Sequence, residues 1–234
     1  MTSKSAVISL SGGLDSLVSL ASIMESVDVK LALFFDYGQR AVKQEENAVK
    51  SISEYYNISY KTIKLDWLKD ITFTSLVNKD EMLPFYDQDK LNDDISVMEA
   101  SAKSVWVPNR NGVILNIAAA YADSYSFDYV VFGANKEEAT TFPDNSINYV
   151  KSITDSFSFS TSNKVQVIAP LAFKTKQEIV DIASSLDVPL QLVWSCYSDM
   201  CRHCGKCESC NRLKRALIKN NKSNIWEKLI YSAV

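Results

Sequence analysis

The chain has 234 residues, of which 47% are hydrophobic and 23% charged, with a net charge of -3. These proportions exclude a disordered or collagen-like protein, and the length suits one large domain or one domain with an appendage. No apolar run reaches about 18 residues, and Met1 to Leu10 lacks a basic stretch followed by a long apolar one. Neither a membrane span nor a signal peptide is therefore expected, and the expected location is cytoplasmic.

The elements alternate along the chain. Val7 to Leu10 is a short apolar run ending in a glycine turn, which predicts a buried strand. A helix follows over Leu14 to Met24, where Leu14, Leu17, Val18, Ala21 and Met24 share one face. Leu31 to Phe35 predicts a second strand, Val42 to Tyr56 an amphipathic helix, and Ser59 to Leu65 a third strand. Residues 70–105 are polar, acidic and weakly periodic, and read as an insertion with little regular structure. The apolar, Ala-rich stretch Arg110 to Tyr125 predicts a buried helix. Tyr129 to Gly133 and Val165 to Ile168 complete the strands, and Lys174 to Leu186 follows as a helix. Short apolar strands alternating with helices imply a parallel sheet covered on both faces. From about Trp194 the composition turns to Cys, Lys and Arg, with helices expected over Cys207–Lys219 and Asn224–Tyr231. The basic run there reads as a solvated helix face, and the overall charge argues against a nucleic-acid partner.

Ser9 to Ser16 joins the first strand to the first helix through Gly12 and Gly13. Glycines permit close backbone approach to an anion, and the unpaired N–H groups of the helix start favour negative charge. Ser11 and Ser16 add hydroxyl donors. No lysine follows the glycines, so this is not a Walker loop. An acid beside a triphosphate needs a cation between them, which makes Asp15 a candidate to hold Mg²⁺. All five cysteines lie between Cys196 and Cys210, too clustered to staple the rest of the chain. Cys196, Cys204, Cys207 and Cys210 supply four thiolates, which suits a closed structural Zn²⁺ site. A second set, Cys201, Cys204, Cys207 and Cys210, makes a three-residue ladder that could hold an iron–sulfur cluster instead. His203, the only histidine, reads as a solvent-facing neighbour and not as a ligand.

The loop Ser11-Gly12-Gly13-Leu14-Asp15-Ser16 is similar to the PP-loop of ATP pyrophosphatases, which split ATP to AMP and pyrophosphate. Further motifs follow in order: Phe35 to Arg40, Val107-Pro108-Asn109-Arg110-Asn111, Gly133-Ala134-Asn135, Phe142-Pro143-Asp144, Pro170-Leu171, Lys176-Gln177-Glu178 and the cysteines. Together they resemble the 7-cyano-7-deazaguanine synthase (QueC) family over roughly Ala6 to Leu217. The resemblance implies a Rossmann-like (HUP-type) α/β fold with a five-stranded parallel sheet. It implies a PP-loop domain over 1–193, a zinc-binding helical subdomain over 194–234 and a homodimer. It also implies ATP-dependent conversion of 7-carboxy-7-deazaguanine and ammonia to the nitrile. Leu10 to Leu20 would bind ATP, with Ser11, Gly12, Gly13 and Ser16 on phosphate and Leu10, Leu14, Asp15 and Leu17 as the other binding residues of the loop. Gln39, Arg40, Arg110, Asn111, Gly133, Glu138, Pro143 and Asp144 would complete the ligand site, and an acid in the loop of Glu137, Glu138, Pro143 and Asp144 could pair with the guanine-like N–H edge of the substrate. Asp15, Arg110 and Lys176 would act on the reacting groups, and Cys196, Cys204, Cys207 and Cys210 would hold Zn²⁺.

The chain departs from the family pattern in places. Glu138 to Asn145 stands where Asp-x-Ser-Gly-Tyr-Pro-Asp-Cys is usual, and Asn109 replaces a glycine. These changes bear on base recognition more than on ATP chemistry. A related ligase with a divergent substrate, a tRNA thiolase and a nucleic-acid module are the competing readings.

Overall fold

A computed structural model of the chain describes residues 4–83 and 103–231. Five strands form one parallel sheet: β1 (Lys4–Ser9), β2 (Val27–Asp36), β3 (Ser59–Lys64), β4 (Tyr129–Val131) and β5 (Gln166–Ile168), in the order β3-β2-β1-β4-β5. All five are the expected strands. Around them lie α1 (Leu14–Ile23), α2 (Val42–Tyr56), α3 (Asp66–Asp70), α4 (Arg110–Ser124), α5 (Lys136–Ala139), α6 (Ile147–Ser160), α7 (Lys176–Ser185), α8 (Glu208–Lys219) and α9 (Ser223–Tyr231).

Alternation along β1 divides the core. Ala6 and Ile8 face one side, against α1, α2 and α7 through Leu17, Val49 and Ile179. Val7 faces the other, against Leu115 and Ala118 of α4 and Ile153 and Phe157 of α6. A sheet buried on both faces needs apolar residues at successive positions, which is why the central strands read as unbroken apolar runs. The chain after Trp194 joins the first of these cores: Trp194, Leu213, Leu217 and Trp226 belong to the same buried cluster as Leu14 and Leu17. The Trp194 N–H donates to the Gly12 carbonyl at 2.9 Å.

Helix α6 was not anticipated. Its core face, Val150, Ile153 and Phe157, has helical spacing, but seven of its fourteen residues are Ser, Thr, Asn or Asp, which weaken the signal. A Ser146 cap accepts the Tyr149 N–H and starts it. Helix α7 begins two residues later than expected, at Lys176, because Thr175 caps it. Most of the acidic run, residues 84–102, lies outside the described residues. The described part before it, 71–83, forms turns without helix or strand, as the weak periodicity suggested. Among the described residues no helix is long and apolar enough to cross a membrane.

Because β1 has β2 on one side and β4 on the other, successive crossovers leave it in opposite directions. The crevice at the carboxyl ends of such strands is where ligands gather in open α/β sheets.

Candidate active site

The loop after β1 is held open by its own side chains. Ser16 Oγ donates to the Gly13 carbonyl at 3.1 Å and accepts the Ser11 N–H at 3.2 Å. Ser11 Oγ lies 3.1 Å from Ser16 Oγ and accepts the Gly13 N–H at 3.3 Å. Gly12 adopts φ +79°, and a Cβ there would come within 2.9 Å of Ala48 Cβ and of the Glu45 carbonyl oxygen. Only glycine meets both conditions without strain. Gly133, just past β4, serves packing: a Cβ would sit 2.9 Å from Ser16 N and 3.0 Å from Ser16 Cα. It lets the end of β4 touch the start of α1.

A cavity of about 250 Å³ opens beside this loop. It is lined by Leu10, Ser11, Gly13, Leu14, Asp15 and Ser16, by Gln39, Arg110, Asn111 and Gly133, and by Glu138, Asp144 and Lys176. Four expected ligand residues stand outside it. Gly12 turns toward α2, Leu17 is fully buried in the core, and Pro143 is exposed. Arg40 donates to the backbone carbonyls of Asn78 (2.6 Å) and Glu81, so it ties down the segment after α3.

Lys176 joins the two halves of the site. Its ammonium bonds Asp15 and, at 2.7 Å, Glu138. Burial works against its charge, but the two carboxylates outweigh burial and raise its pKa. One ammonium cannot neutralise both acids. Burial works to raise Glu138 too, yet Lys176 holds it down to about 2. Asp15 is pushed up to about 6 by burial, against the pull of Lys176, and its Oδ1 is buried without a protein partner. Lys176 is placed by a reciprocal cap: Thr175 Oγ1 accepts the Glu178 N–H at 3.3 Å, and Glu178 Oε2 accepts the Thr175 N–H at 2.8 Å.

Sequence reasoning offered Glu137 only as one of the loop acids that could pair with the substrate's N–H edge, and passed over Arg212, Arg215 and Glu45. Glu137 accepts the Lys176 N–H at 2.7 Å and the Arg215 guanidinium at 3.1 Å, linking α7 to α8. Arg212 lines the cavity and bonds Glu208 at 2.6 Å. Glu45 accepts from Gln39 Nε2 at 2.8 Å, and burial raises its carboxyl to about 7. No sequence motif marked these residues: Glu137 meets Arg212 and Arg215 only across elements distant in the chain, and Glu45 reads as an ordinary acid in the first turn of a helix. Arg110, also in the cavity wall, donates from Nη1 to Tyr37 Oη at 3.4 Å, with its guanidinium 5.8 Å from the Tyr37 ring centre.

The sulfurs of Cys196, Cys204, Cys207 and Cys210 all lie within 4.8 Å of one another, with Cys204 to Cys210 at 3.9 Å. Backbone N–H groups of Ser198 and Cys204 point at Cys196 Sγ, and those of Lys206 and Cys207 at Cys204 Sγ, at 3.3–3.4 Å. Such donors favour thiolates, so the donor set fits a metal ion. Cys201 is exposed and outside this group, so the four sulfurs brought together are not those of the Cys201 ladder. His203 corrects another expectation. It is buried between Trp194 and Trp226, its Nε2 accepts the Ser195 N–H at 3.1 Å, and burial lowers its pKa to about 4. It packs the subdomain as a neutral ring.

A Ser-Gly-Gly-Leu-Asp-Ser loop between the first strand and helix of a parallel sheet ordered β3-β2-β1-β4-β5 defines a PP-loop protein of the ATP pyrophosphatase class. The profile of the family described as "Queuosine biosynthesis protein QueC" matches residues 5–221. The chain belongs to the QueC family. It is 50% identical over 214 residues to the 7-cyano-7-deazaguanine synthase of Methanosarcina mazei, covering 90% of this chain and 92% of that one. It is 45% identical over 210 residues to the synthase of that name from Pelotomaculum thermopropionicum, covering 90% and 95%. Among solved structures, the U34-tRNA thiolase NcsA from Methanococcus maripaludis with its [4Fe-4S] cluster aligns with a TM-score of 0.50 at 18% identity, over 98% of this chain and 71% of that one. At that identity the likeness is one of fold alone.

Proposed function

We propose that this chain makes 7-cyano-7-deazaguanine from 7-carboxy-7-deazaguanine and ammonia at the expense of ATP, as a ligase forming carbon–nitrogen bonds in queuosine-type biosynthesis. The observation that carries this reading is one cavity holding the phosphate loop and a buried lysine between two acids, in a chain matched to the family from residue 5 to 221. A carboxylate resists ammonia because oxide is a poor leaving group. Attack of its oxygen on the α-phosphorus of ATP releases pyrophosphate and makes AMP the leaving group. Ammonia then displaces AMP to give the amide. The amide oxygen attacks a second ATP, again releasing pyrophosphate, and loss of AMP and protons leaves the nitrile.

The residues divide this work. The loop from Leu10 to Ser16 holds the triphosphate through backbone N–H groups and the hydroxyls of Ser11 and Ser16. Lys176 and Arg110 stabilise charge that grows on the phosphate in the transition state. Gln39, Asn111, Gly133, Glu138 and Asp144 shape the rest of the ligand site. The unpartnered Oδ1 of Asp15 suits it to hold Mg²⁺, which would neutralise the triphosphate. We assign Zn²⁺ to the four cysteines: zinc–sulfur bonds of about 2.3 Å give sulfur–sulfur edges of about 3.8 Å, and the 3.9 Å separation supports that ion. A homodimer and a cytoplasmic location follow from the family likeness, and light scattering on purified protein tests the first.

Purified protein incubated with the deazaguanine carboxylate, ammonium, Mg²⁺ and ATP should yield the nitrile by mass spectrometry and two AMP per nitrile by chromatography. ADP in place of AMP, or no new base with metal-loaded protein, would refute the assignment.

A further inference from the structure

Three features of the cavity lie outside the glycine loop. Asn111, at the start of α4, is 3% exposed and lines the cavity. Arg110 Nε donates to Asn111 Oδ1 at 3.2 Å, which fixes the amide orientation and leaves Nδ2 buried, turned toward Asp144 but with no hydrogen bond of good geometry. A buried N–H without an acceptor is rare in native proteins and calls for a ligand. Asp144 lines the same cavity, and the bond it accepts from Asn145 Nδ2 is long, at 3.5 Å. Burial raises its carboxyl, while Arg110 and, more weakly, the Asn111 amide hydrogen favour its charge, so amide and carboxylate are neighbours. The rings of Trp106 and Phe142, both in the cavity wall, lie 14° from parallel with centroids 6.1 Å apart. Glu137 and Glu138 are held in ion pairs by Arg215 and Lys176, whereas Asp144 feels Arg110 without an ion pair to it, so Asp144 is the acid of this loop open to the N–H groups of a neutral ligand.

We infer that Asn111 and Asp144 read the pyrimidine edge of a guanine-type base whose face lies against Trp106 and Phe142. This edge presents, in order, a carbonyl oxygen, a ring N–H and a 2-amino group. The amide Nδ2 donates to the oxygen, and the two carboxylate oxygens accept from the ring N–H and the amino group. Adenine offers an amino group and a bare ring nitrogen in the first two places, so the pair refuses the base of ATP. The 7-carboxylate sits on the five-membered ring, away from the amino group, and stays free to meet the phosphate loop. The inference rests on the synthase reading above and adds how the base is selected.

The test compares 7-carboxy-7-deazaguanine with its 2-desamino analogue, using metal-loaded full-length protein and Asp144→Asn. The unaltered protein should favour the amino-bearing base by about 30-fold in kcat/KM, since a site built for an N–H rejects the analogue lacking it. Asp144→Asn should cut kcat/KM for the amino-bearing base by about 100-fold, through KM, and shrink the preference to about threefold or less. Its KM for ATP should stay within about twofold, which also reports that it folds. Equal use of both bases by the unaltered protein overturns the inference without any variant. So does an equal loss on both bases in Asp144→Asn, or a loss falling on ATP. No turnover of either base by the unaltered protein removes the synthase reading itself, a result distinct from the others.

Discussion

Glu45 lies in the first turn of α2, where its carboxylate meets Gln39 and its backbone carbonyl meets Gly12 of the phosphate loop. Burial raises its pKa to about 7, with the Gln39 bond opposing. Between about pH 4.5 and 7 the folded chain therefore holds a proton at Glu45 that the unfolded chain has released. Stability from this group is present at low pH and falls as pH rises through that window. Glu45→Gln should remove the fall, so denaturant unfolding should favour the variant more at pH 8 than at pH 5. An equal difference at both pH values would contradict this. Asn109 explains a departure from the family pattern at the same scale. It adopts φ +48° at the N-cap of α4, a left-handed position that glycine takes freely and asparagine tolerates better than other side chains. Gly112 makes room for it: a Cβ there would lie 2.1 Å from Asn109 Oδ1. The substitution was visible in the sequence, but the backbone angle that permits it was not.

Among the elements, the strands were the most legible, because burial on both faces writes itself as continuous apolar runs in β1 and β2. Helix α6 was hidden because only its inward face is apolar and its other positions are poor helix formers. The phosphate loop was readable residue by residue, since its backbone shape depends on local glycine and serine chemistry. The network of Glu137, Arg212 and Arg215 was not, because it forms between α5 and α8 across more than seventy residues of chain. The start of α7 matters most to the site, as it presents Lys176 against the positive end of its own helix. Thr175→Ala should cost about 1 kcal/mol through loss of the cap, lowering Tm by about 2–4 °C. Thr175→Ser should restore both in thermal unfolding, and failure of serine to rescue would mean that the hydroxyl is not the stabilising group.

At the scale of the whole molecule, the cysteine cluster and the phosphate loop belong to one core. Cys196, Cys207 and Cys210 share a buried cluster with Leu14 and Leu17, and Trp194 bonds Gly12 directly. Metal removal should therefore reach the nucleotide site. Stripping the ion with a chelator should lower Tm by about 10 °C or more and weaken ATP binding, with both restored when metal returns. Unchanged ATP affinity in the stripped protein, measured by calorimetry, would show the two regions to be energetically separate. The hydrogen bond from Trp194 to Gly12 also bears on synthesis. The ribosome releases the tryptophan that braces the glycine loop more than 180 residues after the loop itself. A nascent chain thus carries its nucleotide motif with one wall missing until Trp194 has been made, and only then can the site close.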